Sequence, residues 1–302
     1  MHEFLMSLIS WGTDVILWAQ SFGNPFLDRF FTAATFLGEE EFYLIFLPLI
    51  YWCFNKRIGV RLAYVFLLSA YLNLFVKDLF GIPRPDDPRI RFLRHETTPS
   101  FPSGHAQGAV VTWGYLATQW QSRALWAIAI VLILLNSISR VYLGVHFPQD
   151  LVGGIAIGVV YLWAFNWVIA RWGGDLAKLP VVTKAGLAVL LPVALLVLHF
   201  TQDAAITMGA LSGMGVGFLL EGKLVGFSAD GLWWRRALRF CVGLILIGFV
   251  YVGLKAVFPA QVAPPLGLIL RAIRYGMVGL VGTFVAPWIF VRIALADSEI
   301  KK

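Results

Sequence analysis

Charge is scarce in this chain. Of its 302 residues only 14% are Asp, Glu, Lys or Arg, whereas 59% are hydrophobic, and the mean hydropathy is +0.77. So little charge excludes a water-soluble globule with a polar exterior and marks a membrane protein. Cysteine is scarcer still. Cys53 and Cys241 both lie in apolar stretches, which excludes a disulfide framework and a thiolate metal site and predicts ordinary buried residues. The N-terminal MHEFLMSLISWGTD has neither a basic leader nor a small-residue cleavage site, so the first helix is expected to stay rather than leave as a signal peptide. Also lacking is a basic stripe interleaved with stacking aromatics. The formal charge of +7 gathers at the edges of apolar runs, an arrangement of membrane topology and not of nucleic-acid binding.

Long apolar runs are what the chain has in place of charge. A span needs about 20 mostly apolar residues, and candidates fall at roughly 3–21, 41–54, 60–76, 104–120, 124–140, 149–171, 183–200, 204–220, 237–257 and 267–294. The first carries Asp14 and reads equally well as an amphipathic helix in the interface. The second is short, and its start reaches back toward Phe30. Trp18, Trp52, Trp120, Trp172, Trp233 and Trp234 stand near the ends of these runs, where indole rings meet lipid headgroups. The expected fold is therefore all-α, a polytopic membrane helical bundle. Gly209, Gly213 and Gly217 form overlapping GxxxG patterns, and Gly154 with Gly158 forms another. They predict close helix packing within the chain, with a homodimer seam as the alternative.

One connection stands out by length and polarity, KDLFGIPRPDDPRIRFLRHETTPSFPSGH, between the third and fourth runs. Its prolines stop helices repeatedly. The fourth and fifth runs form a hairpin through the short WQSRAL turn, so PSGH and SRVYLGVHFPQD return to the face of the long loop. Lys56, Arg57, Arg61, Arg123, Arg171, Lys178, Lys184, Lys223, Arg235, Arg236, Arg239, Arg292, Lys301 and Lys302 lie on the opposite face and outnumber the cations beside the loop. The positive-inside rule then puts the long loop outside the cytoplasm.

On that outer face three clusters converge: Lys77 with Arg84 and Pro85, then Ser103, Gly104 and His105, then Arg140, His146 and Asp150. Three cations, two imidazoles and a carboxylate suit phosphoryl transfer. Cations neutralise the equatorial oxygens, and the planar fork of Arg binds two at once. The PSG turn leads into a helix, so its backbone N–H groups and the Ser103 hydroxyl can address the same anion. His146 precedes Asp150 by about one helical turn, so the carboxylate can fix its tautomer, which makes His146 the better nucleophile. His105 has no such partner in sequence and is the better general acid, and later the base for water.

KDLFGIPRP, PSGH and SRVYLGVHFPQD resemble the three signature motifs, K-x6-R-P, P-S-G-H and S-R-x5-H-x3-D, of the type 2 phosphatidic acid phosphatase family. Every specified position matches, and the likeness covers about residues 40 to 170. It implies that Lys77, Arg84, Ser103, Gly104 and Arg140 bind phosphate, that His146 is the nucleophile backed by Asp150, and that His105 is the acid. It also implies catalysis without a metal or other cofactor, on a membrane lipid phosphate. With it come a six-helix phosphatase core over residues 1–175 and additional C-terminal transmembrane helices over 176–302, about four by the runs above. That layout resembles the sphingosine-phosphate phosphatase branch and its bacterial look-alikes, and implies a bacterial inner-membrane enzyme with its active site on the periplasmic face.

Other residues carry milder expectations. Arg89, Arg91 and Arg94 read as a solvated loop, or as headgroup contacts that favour lipid diphosphates. Glu39, Glu40 and Glu41 read as an acidic start to a helix, and His2, His95 and His199 as structural. Haloperoxidase chemistry on the same pocket is disfavoured by the membrane setting. A phosphotransferase using the same phosphohistidine stays open, and so does a lipid transporter or scramblase on this bundle. Transport predicts charge spread along several spans, whereas only Lys255, Arg271 and Arg274 depart from the clustering.

Overall fold

A computed structural model of the chain describes residues 1–258, 263 and 265–300. Among these the regular structure is helical, and the single β contact is an isolated bridge between Phe227 and Ser298. In chain order the helices are α1 (His2–Ser7), α2 (Ile9–Ser21), α3 (Pro25–Thr35), α4 (Glu40–Leu49), α5 (Lys56–Phe80), α6 (Gly104–Trp120), α7 (Arg123–Tyr142), α8 (Pro148–Lys178), α9 (Val181–Leu198), α10 (Gln202–Leu224), α11 (Trp233–Val257), α12 (Leu266–Leu280) and α13 (Ala286–Arg292). Among the described residues, seven runs are long and apolar enough to cross a membrane: α5, α7, α8, α9, α10, α11 and the continuous stretch Leu266–Arg292. The chain is an all-α polytopic membrane bundle.

Three expected spans are too short to be among those runs. The first apolar run breaks at Leu8 into α1 and α2, and the 13 residues of α2 reach about 20 Å, short of a hydrocarbon core of about 30 Å. The second does not extend back to Phe30. That residue belongs to α3, whose start is fixed by Asn24, accepting from the N–H groups of Phe26 and Leu27 at 3.0 Å, and by Pro25 in the first turn. What remains is α4, which carries Pro48 and widens into a π turn over Ile50–Phe54. The third, α6, has 17 residues, most of them buried by protein.

The chain resolves into two compact units. One comprises residues 1–43 and 72–169, the other 44–71 and 170 onward, whereas the sequence suggested a single boundary near residue 175. In the first unit, Ile16, Ile90, Ala106, Val141, Phe147 and Leu151 form a buried cluster, and α8 lies close on α6. A Cβ on Gly154 would stand 3.2 Å from that of Ala106, and one on Gly158 3.1 Å from the Gln107 carbonyl.

In the second unit the glycine stripe of α10 faces α12. A Cβ on Gly209 would stand 2.8 Å from the Cα of Ala272, and one on Gly213 2.8 Å from that of Gly276. Both glycine faces that might have formed a dimer seam are thus filled from within the chain. Buried Arg239 donates to the carbonyls of Ser228 and Ala229 at 2.8 Å, and the C-terminal segment returns to this loop through Ser228 N–H to Asp297 O at 2.8 Å. Lys301 and Lys302, counted toward orientation, lie outside the described residues. Cys53 is buried as expected, but Cys241 is exposed. It sits on α11, where Ile245 and Phe249 are 69% and 77% exposed, a surface suited to lipid.

Candidate active site

All three motif clusters fall in the first unit, and backbone geometry draws them together. Lys77 sits in the last turn of α5, 5% exposed, with its ammonium donating to the carbonyls of Pro99 and Ser100. The loop that follows returns to the same place because polar side chains fasten it. Asn73 Nδ2 donates to Pro102 O at 3.3 Å and to Gln107 Oε1 at 2.9 Å. Ser103 caps α6 through its hydroxyl, and its N–H donates to Asp150 O at 3.0 Å, tying the PSGH turn to the start of α8. The tight turn between α7 and α8 needs Gly144 at φ +78°, a conformation that costs glycine little, and delivers His146.

His146 is 2% exposed and held from both ring nitrogens. Nδ1 lies 3.2 Å from Asp150 Oδ2, and Nε2 lies 3.2 Å from Nη1 of Arg84. Arg84 is itself pinned, donating from Nε to Thr98 O at 2.6 Å and from Nη1 to Val145 O at 2.7 Å. Asp150 Oδ2 also accepts from the Ser100 hydroxyl and from Phe147 N–H at 2.8 Å. A carboxylate so held draws the proton to Nδ1 and leaves the Nε2 lone pair facing the cations. Burial first, then Arg84, Lys77 and Arg140, push the His146 pKa well below its ordinary value, so the ring is neutral at physiological pH. Arg84 is lowered to about 10, chiefly by burial, and stays charged.

Arg140 is fully buried at the end of α7, donating to Thr35 Oγ1 at 2.7 Å and paired with Glu96. Glu96 also stands 4.0 Å from Arg84 Nη2, so its carboxylate bridges two of the three cations expected to bind phosphate. Burial raises its pKa, but Arg140, Arg84 and His105 together outweigh that and hold it below the usual carboxylate value. His105, on the first turn of α6, faces Glu39 with Nε2 3.6 Å from Oε1. The partner that its sequence neighbourhood lacked comes from the segment before α4.

The structure thus gathers Lys77, Arg84, Ser103, Gly104, His105, Arg140, His146 and Asp150. Glu96, Thr98, Ser100, Asn73 and Thr35 were not anticipated, because single polar residues scattered over a loop and two helices carry no periodic signal. Glu39 was visible only as part of an acidic run. The three loop arginines divide. Arg89 pairs with Asp87 at 2.8 Å and Arg91 with Asp28 at 3.1 Å, while Arg94 reaches Glu39 at 3.5 Å. In the second unit Arg274 lies against the rings of Tyr251 and Tyr275.

A buried histidine in the turn between two membrane-length helices, with Lys77, Arg84 and Arg140 around it, marks an integral membrane protein whose titratable residues gather at one place. Residues 58–173 match the PAP2 superfamily, and residues 205–298 match the PAP2 superfamily phosphatase, transmembrane extension. The chain belongs to the PAP2 superfamily, as its three motifs suggested. It is 30% identical to lipid phosphate phosphatase delta of Arabidopsis thaliana over 185 residues, 53% of this chain and 44% of that protein. It is 25% identical to sphingosine-1-phosphate phosphatase 1 of Mus musculus over 315 residues, 88% of this chain and 72% of that protein. The chain therefore spans less than half of the Arabidopsis relative and most of the mouse one. Among solved structures, a transmembrane PAP2 type phosphatidylglycerolphosphate phosphatase from Bacillus subtilis aligns with a TM-score of 0.48 and 26% identity, over 55% of this chain and 87% of that chain.

Proposed function

We propose that the protein is a lipid phosphate phosphatase that works through a phosphohistidine on His146. The observation that carries this reading is the pair of contacts on one ring, Nδ1 at 3.2 Å from Asp150 and Nε2 at 3.2 Å from Arg84. A neutral imidazole is thereby aimed at the place where an anion would meet Lys77, Arg84 and Arg140. Phosphate of the substrate displaces Glu96 from the arginines, and the same cations stabilise charge on the equatorial oxygens as the phosphoryl group transfers. Nε2 bonds to phosphorus while the bond to the lipid oxygen breaks. His105 protonates that oxygen, a step worth typically about 10²–10⁴-fold, and then takes a proton from the water that cleaves the P–N bond.

The favoured substrate is a lipid phosphomonoester. Arg89, Arg91 and Arg94 are each paired with a carboxylate, so a preference for diphosphates would need those pairs to open as well as the pairs that Glu96 makes. The site belongs on the extracytoplasmic face of a bacterial inner membrane, with the phosphate near the headgroup plane. A lipid then enters sideways, its chains as buried before binding as after, so that discrimination rests on the headgroup.

Phosphate release from a panel of lipid monophosphates and diphosphates in mixed micelles tests the reading. Release in EDTA and inhibition by vanadate, a phosphoryl mimic, are expected, with water-soluble phosphomonoesters poor. Activity lost in EDTA and restored by Mg²⁺ would contradict metal-independent catalysis, and no release from any lipid would contradict the function.

A further inference from the structure

Glu39 has no part in the reaction as described so far, yet its carboxylate faces the site. Oε1 lies 3.6 Å from Nε2 of His105, and neither atom has a hydrogen-bond partner among the described residues although both are buried. The same oxygen stands 3.5 Å from Arg94 Nη2 and 3.9 Å from Arg140 Nη1. Arg94 and Arg140 thus hold the carboxylate charged and in place. Gly38 sets the ring from beside it, since a Cβ there would stand 2.8 Å from His105 Cγ and 2.9 Å from Asn136 Nδ2. The Cδ2–Nε2 edge of His105 therefore rests on the Gly38–Glu39 turn, and the Nδ1–Cε1 edge points away from it. Starting a helix, the role that sequence suggested, accounts for none of these contacts.

We propose that Glu39 is the positioning residue of the general acid, holding Nε2–H of His105 so that Nδ1 handles the proton of the leaving group. The proposal rests on the phosphatase reading and extends it. As His146 Nε2 bonds to phosphorus and the P–O bond to the lipid breaks, the proton on His105 Nδ1 passes to the alkoxide. In the second half, water gives a proton to Nδ1 as its oxygen bonds to phosphorus and the P–N bond breaks, which restores both histidines. A positive His105 ring, buried beside Arg140, needs an opposing charge at its far edge, and Glu39 supplies it. Two histidine–carboxylate pairs then run one reaction in opposite senses. Asp150 keeps His146 ready to attack, and Glu39 keeps His105 ready to give up and regain a proton.

Leaving-group dependence tests this, because a phenolate departs without a proton and an alkoxide does not. Glu39→Gln should lower kcat/KM for an alkyl lipid phosphomonoester on the order of 10²-fold, within the usual range for general acid catalysis, and leave that for an aryl phosphomonoester in the same micelles within about threefold. kcat/KM reports the first half-reaction alone, so a slow hydrolysis of the phosphoenzyme does not blur the comparison. The aryl ester also serves as the folding control. Equal losses on both esters, or an unimpaired alkyl ester, would overturn the role of Glu39 while the phosphatase reading stood. Absence of phosphate release by the wild-type protein from either ester would remove that reading and the proposal with it.

Discussion

One oxygen, Oδ2 of Asp150, receives the Ser100 hydroxyl, the Phe147 N–H at 2.8 Å and the Nδ1 side of His146 at 3.2 Å. Three donors on one atom hold the carboxylate still, and the carboxylate then fixes the imidazole. Asp150→Asn should keep the fold and lower kcat by about 10²–10⁴-fold, because an amide no longer selects the reactive tautomer. Ser100→Ala removes one hydrogen bond to a charged group and should cost about tenfold in kcat/KM. Steady-state kinetics on a lipid phosphomonoester checks both, and a near-normal Asp150→Asn would contradict the assignment. The pH behaviour of His146 follows from the same burial. Its pKa is pushed down, so protonation is deferred to lower pH than at an ordinary histidine, and the ring stays neutral at and below pH 6.5. ¹⁵N-histidine NMR of the protein in micelles should show neutral, Nδ1-protonated His146 at that pH, and a titration midpoint at or above it would be contrary. At this scale His146 and Asp150 were legible because four-residue spacing is local physics. Glu39, Glu96 and Ser100 were not, because their partners lie far away in sequence and only the folded loop supplies them.

Helix packing shows the same division. The stripe Gly209, Gly213 and Gly217 announced a close approach, and the structure supplies the partner, α12, which no pattern in the sequence named. A Cβ on Gly213 would stand 2.5 Å from the carbonyl carbon of Gly276, which is backbone and cannot turn aside. Gly213→Ala should therefore destabilise the protein by about 1–3 kcal/mol. Gly248 on α11 has nothing within 4 Å of such a Cβ, and Gly248→Ala should be neutral or gain up to about 1 kcal/mol in helix propensity. Thermal unfolding in micelles separates the two, and equal shifts would contradict the packing of α10 on α12. Hydropathy found the long spans but misread the beginning of the chain. It cannot register the break at Leu8, or see that Asn24 and Pro25 start a new helix where a span was expected to extend.

For the whole molecule, the charge distribution gives a testable orientation. Thr97 lies exposed in the long loop beside the site. In a background without Cys53 and Cys241, Thr97→Cys should react in intact cells with a membrane-impermeant thiol reagent, and labelling only after lysis would reverse the topology. Family and bundle class were legible because three short motifs and the apolar runs are both local features of sequence. The grouping of residues 44–71 with the C-terminal helices was not, since it depends on contacts that a linear division at residue 175 overlooks. The central claim is that the phosphoryl group passes through His146, and trapping it tests this most directly. After brief exposure to a ³²P-labelled lipid phosphomonoester and quenching in alkali, the wild-type protein should carry label that is stable to base and released by acid, as a phosphoramidate is. His146→Ala should carry none. Label that persists in His146→Ala, or that base removes, would contradict the account.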